Sequence, residues 1–301
     1  MTDELLLSLC IPTNGVFEWV KPVLDSIYLE KNPIGKFEVI VTDNGTNEEF
    51  YEFMQDYCEK YNNLVYVKTT AVQFANQIEA FKLARGQLIK FVNHRSTLLP
   101  GGLNYLLQFV KDNETEKPFV YFLDKKCAGV YSDFDQYVRN LSFWSSYSGG
   151  TAIWKKDFDK MDLSRPFNKL FPHVNMILGI RDRNRYIIDG HAIMKSLPTD
   201  DTKKGSYNLF YAFAVEYPSL ILELYRDNDI KIDTFKSIMK DNFNFIAGLY
   251  LDYVVLNKPC SYDLSDGKEN ISVYYNFNLL YPKMIYICLK RIYQMIRRLI
   301  K

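Results

Sequence analysis

Between Leu5 and Val92 the chain alternates short apolar runs with longer segments whose apolar residues recur at helical spacing. This alternation constrains the fold more than any other feature. LLLSLCIP is a continuous apolar run of strand length ended by Pro12, and FEWVKPVLDSIYLEK follows with helical periodicity. FEVIVTDNG is a second buried strand closing on an Asp-Asn-Gly turn, TNEEFYEFMQDYCEKY an acid-started helix, and NLVYVKT a third strand. FANQIEAFKLARG reads as a helix with Gly86 at its C-cap, and QLIKFVNH as a fourth strand. Alternation at this spacing predicts a mostly parallel, Rossmann-like α/β sheet covered by helices on both faces.

Ligands of such sheets bind beyond the carboxyl ends of the strands. That rule singles out Pro12-Thr13-Asn14, Asp43-Asn44 and Asn93-His94-Arg95, all polar or turn-forming. Further along, KPFVYFLD, SGGTAIW and RYIIDG read as strands, FPHVNMILGI as a helix, and 207–257 as an apolar helical stretch. Trp144, Tyr147 and Trp154 suit either sugar faces or core packing. Asp200-Asp201 lies in a polar loop and reads as solvated surface.

Composition excludes several classes. With 37 Lys and Arg against 36 Asp and Glu the net charge is +1, so no nucleic acid partner is expected. The apolar share of 48% supports a substantial core and excludes disorder. Five scattered cysteines without a CxxC pair predict neither a structural zinc site nor a disulfide framework, and point to a reducing, cytoplasmic setting. The N-terminus places acids before its short apolar run and lacks the pattern of a signal peptide. The apolar stretch from Phe245 to Leu256 is interrupted by Asp252 and is too short for the roughly 20 residues of a span.

At the strand ends the chain resembles the family 2 glycosyltransferases of the GT-A fold, which transfer a sugar from a nucleotide-diphosphate donor. The matching text is LSLCIPTNGVFEWVKPVLDSI, then FEVIVTDNGTNEEF, then ANQIEAFKLARGQLIKFV followed by a polar triplet and LLPGGL. The resemblance covers about residues 5 to 110 well, extends plausibly through SGGTAIWKKDF, and is weak beyond about 190. It implies a nucleotide-sugar-binding half at 1–110 and an acceptor-binding half at 111–205, while helical periodicity gives a helical extension at 206–282 and a basic amphipathic helix at 283–301.

The resemblance also implies site residues. Pro12, Thr13 and Asp43 would hold the base and ribose, since a carboxylate accepts hydrogen bonds from a base N–H or a ribose hydroxyl. An Asx turn with Asn44 and Gly45 is the local alternative for Asp43. Asn76 would help seat the nucleotide from its helix, and Gly149 and Gly150 would let backbone approach the sugar or acceptor, unless they form only a strand-entry turn.

The chain departs from the family at 93–96. An acidic Asp-x-Asp cluster that binds Mg2+ or Mn2+ is expected there, and the sequence has Asn93-His94-Arg95-Ser96. A hard dication wants charged oxygen ligands, so no metal site and no confident cofactor are assigned. Two readings follow. Either Arg95, with His94 or with Arg181, Arg183 and Arg185, neutralises the diphosphate in place of a metal, or the domain is catalytically silent and binds nucleotide or assists a partner transferase. A nucleotidyltransferase of similar architecture would also need the missing carboxylates.

In the family an inverting enzyme uses an Asp or Glu at a helix start as the base that deprotonates the acceptor hydroxyl. In FPHVNMIL that position is held by His173, with Asp182 and Asp189 as alternatives; a helix-start histidine satisfied by neighbouring backbone is the plain structural reading. Finally, KMIYICLKRIYQMIRRLIK over 283–301 carries six cations and no acid. Ile285, Cys288, Leu289, Ile292, Met295, Ile296 and Leu299 fall on one helical face, and Lys290, Arg291, Gln294, Arg297, Arg298 and Lys301 on the other. A basic amphipathic helix of this kind suits the surface of an anionic membrane, a packed terminal helix being the alternative. The expected protein is thus a peripheral enzyme at the inner face of the cell membrane. Its partners would be a nucleotide sugar and a lipid-linked saccharide, in capsule, O-antigen or related synthesis.

Overall fold

The computed structural model describes residues 4–29, 35–125, 127–198 and 200–299, in two compact units, 1–198 and 199–301. The first unit begins with β1 (Leu7–Thr13), α1 (Phe17–Tyr28), β2 (Phe37–Asp43), α2 (Glu48–Lys60), β3 (Leu64–Lys68), α3 (Asn76–Leu83) and β4 (Leu88–Phe91). It continues with β5 (Ser96–Leu98), α4 (Gly102–Asp112), β6 (Phe119–Phe122), β7 (Gly129–Tyr131) and α5 (Phe134–Leu141). It closes with β8 (Ala152–Trp154), α6 (Lys155–Phe158), α7 (Pro172–Leu178), β9 (Tyr186–Asp189) and β10 (Met194–Ser196).

The main sheet has the order β3-β2-β1-β4-β8, with its first four strands parallel and β8 antiparallel to β4. Because side chains alternate across a strand, one face of β1 and β2 gives Leu9, Ile11, Val39 and Val41 to a core with Val20, Val23 and Leu24 of α1. The other face gives Cys10 and Ile40 to a second core with Ile78 and Phe81 of α3 and Phe158. Burial on both faces is why these strands read as unbroken apolar runs rather than as alternation. Each buried Leu, Ile or Val contributes about 2 kcal/mol. Two small sheets complete the unit, β6-β9-β7 and the antiparallel pair β5 and β10.

Register sets the level of the strand ends: Thr13 lies opposite Asp43, and Asp43 opposite Lys68. The turn after β2 is followed by Asn47, whose side chain accepts the Phe50 N–H at 3.3 Å and starts α2, with Glu48 and Glu49 in its first turn.

Gly86 is not the C-cap of α3, as the sequence suggested; the helix stops at Leu83 and Ala84 closes it. The glycine serves close approach instead. Its N–H donates to Ser8 Oγ at 2.8 Å, and a Cβ there would sit 2.5 Å from the Leu7 carbonyl carbon. Beside it the buried Glu38 accepts Ser8 Oγ at 2.7 Å and holds the Arg85 guanidinium at 2.9 and 2.7 Å.

The second unit is helical: α8 (Leu209–Tyr211), α9 (Tyr217–Arg226), α10 (Ile232–Tyr250), α11 (Gly267–Ser272) and α12 (Leu280–Leu299). Its core gathers Phe210, Ala214, Ile246, Ala247, Leu251, Ile271, Phe277, Leu280 and Met284. Leu280 and Met284 fasten the start of α12, whereas Ile285, Leu289, Ile292, Tyr293, Met295 and Ile296 are exposed. Arg291 makes two bonds to Asp252, at 2.6 and 2.9 Å. The side chains of Arg298 and Leu299, and Lys301, lie outside the described residues. Among the described residues no helix is long and apolar enough to cross a membrane.

Candidate active site

The carboxyl ends of β1, β2 and β4 bring Pro12, Thr13, Asp43, Asn93, His94 and Arg95 to one edge of the main sheet. Pro12 is half-buried. Thr13 Oγ1 lies 2.9 Å from His94 Nδ1 and accepts the Gly15 N–H at 3.2 Å, so β1 and the segment after β4 are tied together at the site.

Asp43 is fully buried and both its oxygens are engaged by this chain. Oδ1 accepts the Gly45 N–H at 2.7 Å; Oδ2 accepts the Tyr66 hydroxyl at 2.8 Å and Lys68 Nζ at 3.0 Å. The Asx turn exists, and β3 adds a cation and a phenol that the sequence reading missed. Their alternation along LVYVK puts Tyr66 and Lys68 on one face, a signal that was present in the text. Gly45 is required here, because a Cβ would lie 2.1 Å from Asn14 O.

Asn76 spends its amide on the same strand ends. Nδ2 donates to Thr13 O at 3.0 Å and Thr42 O at 2.9 Å, and Oδ1 accepts the Thr69 hydroxyl at 2.8 Å. It fixes the β1 and β2 termini from beneath.

After β4 the chain turns sharply. Asn93 Oδ1 accepts the Arg95 N–H at 3.0 Å and Asn93 O the Ser96 N–H at 2.8 Å. The Arg95 guanidinium carbon stands 5.1 Å from the ring centroid of Trp19 on α1, and the same indole meets His94 edge-on at 5.0 Å. Burial first, then the neighbouring Arg95 charge, pulls the His94 pKa down to about 3. His94 is therefore neutral, and Arg95 alone of the pair carries charge. Trp19 was not singled out from the sequence; its place in the first turn of a helix facing the strand ends is the signal that was available.

A dication does not fit the family's metal position. Asn93 Oδ1 is already an acceptor, His94 faces Thr13, and Arg95 is a cation; among the described residues no cluster of His, Cys, Asp or Glu could hold an ion. Arg183 and Arg185 are paired elsewhere, Arg183 with Asp157 and Arg185 with Glu116 at 2.6 Å. Arg181 Nε donates to Leu178 O at 3.2 Å.

The segment 145–151 carries the glycine pair. A Cβ on Gly150 would meet the Tyr121 ring at 2.2 Å, and one on Gly149 the Tyr147 ring at 2.4 Å. His173, at the second position of α7, is 4% exposed, and burial lowers its pKa to about 4 against the pull of the Ser146 and Ser145 backbones. Its Nε2 is buried with no hydrogen-bond partner. An imidazole so held is neutral and offers one unused nitrogen. Asp189, by contrast, has both oxygens occupied, Oδ2 by the Tyr105 hydroxyl at 2.7 Å and Oδ1 by the His191 N–H at 2.8 Å.

A mostly parallel sheet with these residues at its carboxyl edge defines a GT-A-type α/β protein. Residues 8–182 match the profile described as Glycosyl transferase family 2, and the chain belongs to that family. The abequosyltransferase RfbV of Salmonella typhimurium is 21% identical over 306 residues, covering 90% of this chain and 89% of that protein. The poly(ribitol-phosphate) beta-glucosyltransferase of Bacillus spizizenii is 25% identical over 113 residues, 36% of this chain but only 18% of that relative's length. The crystal structure of S. aureus TarS 1-349 in complex with UDP-GlcNAc matches with a TM-score of 0.60 at 15% identity, over 90% of this chain and 80% of that one. Likeness at that identity shows the fold.

Proposed function

We propose that the protein transfers a sugar from a nucleotide-diphosphate donor to a lipid-linked saccharide in cell-surface polysaccharide synthesis, with inversion at the anomeric carbon. The observation that carries this reading is Arg95, held over the Trp19 ring at the strand end where the family keeps its acidic motif. A guanidinium there meets the developing charge of a leaving nucleoside diphosphate with paired N–H donors. The nucleotide sugar held by TarS supports the donor class, and the polymer named for the Bacillus relative supports a role in surface-polymer glycosylation.

In this reading the acceptor hydroxyl attacks the anomeric carbon as the bond to the diphosphate oxygen breaks. The leaving group keeps the electron pair, and the hydroxyl proton passes to His173 Nε2. Thr13, Asp43 and their neighbours seat the nucleotide, and the Gly149-Gly150 turn faces the sugar. No step uses a metal.

The exposed apolar residues of α12, with Lys290 and Arg297 beside them, support peripheral attachment to an anionic membrane, which this reading assigns to the inner face of the cell membrane. The second reading, a catalytically silent domain that binds nucleotide or assists a partner transferase, is favoured by the absence of carboxylates at 93–96. Calorimetry with UDP, GDP and CDP, with and without EDTA, joined to turnover of the corresponding sugars, separates the two. Metal-independent binding with turnover supports the transferase, and binding without turnover of any sugar supports the silent domain.

A further inference from the structure

Lys90 lies in β4 with its side chain fully buried, and no carboxylate among the described residues pairs with it. Its Nζ donates to Gly149 O at 2.6 Å, Phe91 O at 2.7 Å and Thr151 O at 3.4 Å, and stands 5.7 Å from the Phe122 ring centroid. Taking an ammonium out of water is costly, and burial pushes its pKa down to about 7. A leucine or methionine would fill the same space against Phe122 without that cost. What the ammonium adds is its hold on three carbonyls.

Those carbonyls join the two sides of the site. Lys90 precedes the Asn93-His94-Arg95 turn on the same strand, and two of its acceptors belong to the segment that carries Gly149 and Gly150. That segment is tied at other points too. Phe91 N–H donates to Thr151 O at 3.1 Å, the Tyr147 hydroxyl is hydrogen-bonded by Ser96 and Ser196, and His173 meets the Ser145 and Ser146 backbones.

We infer that Lys90 is a positioning residue for the transfer: it fixes the 148–151 turn against the end of β4, and so sets the distance between the sugar-facing backbone and Arg95. The inference rests on the reading of this turn as sugar-facing given under Proposed function.

The test compares Lys90→Met and Gly149→Ala in the full chain. The probes are the UDP-, GDP- or CDP-linked sugar that the native protein turns over fastest, and its nucleoside diphosphate alone. Lys90→Met is expected to keep nucleoside diphosphate affinity within about twofold and a melting temperature at or above the native value, because a buried charge is gone. Its kcat should fall 10- to 100-fold, and affinity for the intact nucleotide sugar at least fivefold. A native kcat overturns the inference, as does joint loss of kcat, nucleotide affinity and melting temperature, which marks a scaffold role. Lys90→Leu serves if the methionine variant does not fold, and failure of both to fold makes Lys90 a folding residue and overturns the inference. If Gly149→Ala slows turnover and Lys90→Met does not, the turn stands and the role of Lys90 falls. If neither variant changes turnover, or no sugar is turned over, the sugar-facing reading itself falls.

Discussion

The guanidinium of Arg95 lies over the indole of Trp19, 5.1 Å from guanidinium carbon to ring centroid. Arg95 follows a parallel strand and Trp19 opens a helix, so the pair locks a cation to the carboxyl edge of the sheet. A cation over an indole gains about 0.5–2 kcal/mol, and here it also limits the rotamers of a long side chain. Arg95→Ala is expected to weaken nucleoside diphosphate binding about tenfold in EDTA. Trp19→Ala should weaken it three- to fivefold and the double variant no more than Arg95→Ala alone, as read by calorimetry. Additive losses would show that the indole does not act through the guanidinium.

His173 gives a prediction in pH. Its folded pKa of about 4 lies below the reference of 6.5, so the unfolded chain takes up a proton that the folded chain refuses. Stability from this group is complete above about pH 6.5 and is lost as pH falls toward about 4, by roughly 3 kcal/mol over that window. His173→Ala should flatten this slope in denaturant melts between pH 4 and 6.5, and abolish transfer while nucleoside diphosphate affinity stays native. A native transfer rate in the variant removes the imidazole as base.

The Glu38 carboxylate is 1% exposed and meets Arg85, Ser8 and the Arg85 N–H away from the strand ends. Removing Arg85 leaves a buried anion with less compensation. Arg85→Ala is expected to lower the unfolding free energy from urea melts by about 1–2 kcal/mol, less than a fully buried pair would cost because the guanidinium is mostly exposed, with nucleotide affinity unchanged in the folded protein. A variant as stable as the native chain would show that the exposed guanidinium adds nothing.

The apolar face of α12 predicts a lipid dependence. Leu280 and Met284 are buried in the second unit, so cutting the chain at 281 would damage that core as well as remove the exposed face. Placing acids on the exposed apolar face avoids this. Leu289→Glu with Ile292→Glu should lower flotation with vesicles containing anionic lipid at least tenfold and leave the melting temperature native. Unchanged flotation, or equal binding to neutral vesicles in high salt, would sink the membrane role.

The βαβ alternation was legible because β1 and β2 are buried on both faces and α1 on one stripe, and such burial writes itself directly into residue order. The shared placement of Thr13, Asp43 and Arg95 was legible for a related reason: strand ends of a parallel sheet are adjacent in space whenever the strands are. Lys90 was not. In the text it is a lysine inside an apolar strand, and only the fold shows the carbonyls of residues 59 and 61 positions later closing around it. Gly86 was misread for the same reason, since its need for space comes from Leu7 and Ser8 rather than from the helix before it.

The sequence by itself determined the order of strands and helices, the polar strand ends, the absence of acids at 93–96 and the basic, amphipathic character of the terminal helix. These follow from local periodicity and side-chain chemistry. Only the tertiary structure decided which polar groups were already satisfied. Asp43 and Asn76 are filled by Tyr66, Lys68, Thr13, Thr42 and Thr69, His94 is neutral against Thr13, and His173 keeps a buried nitrogen without a partner. Hydrogen-bond saturation and desolvation depend on what lies across space, and residues distant in the chain supply it.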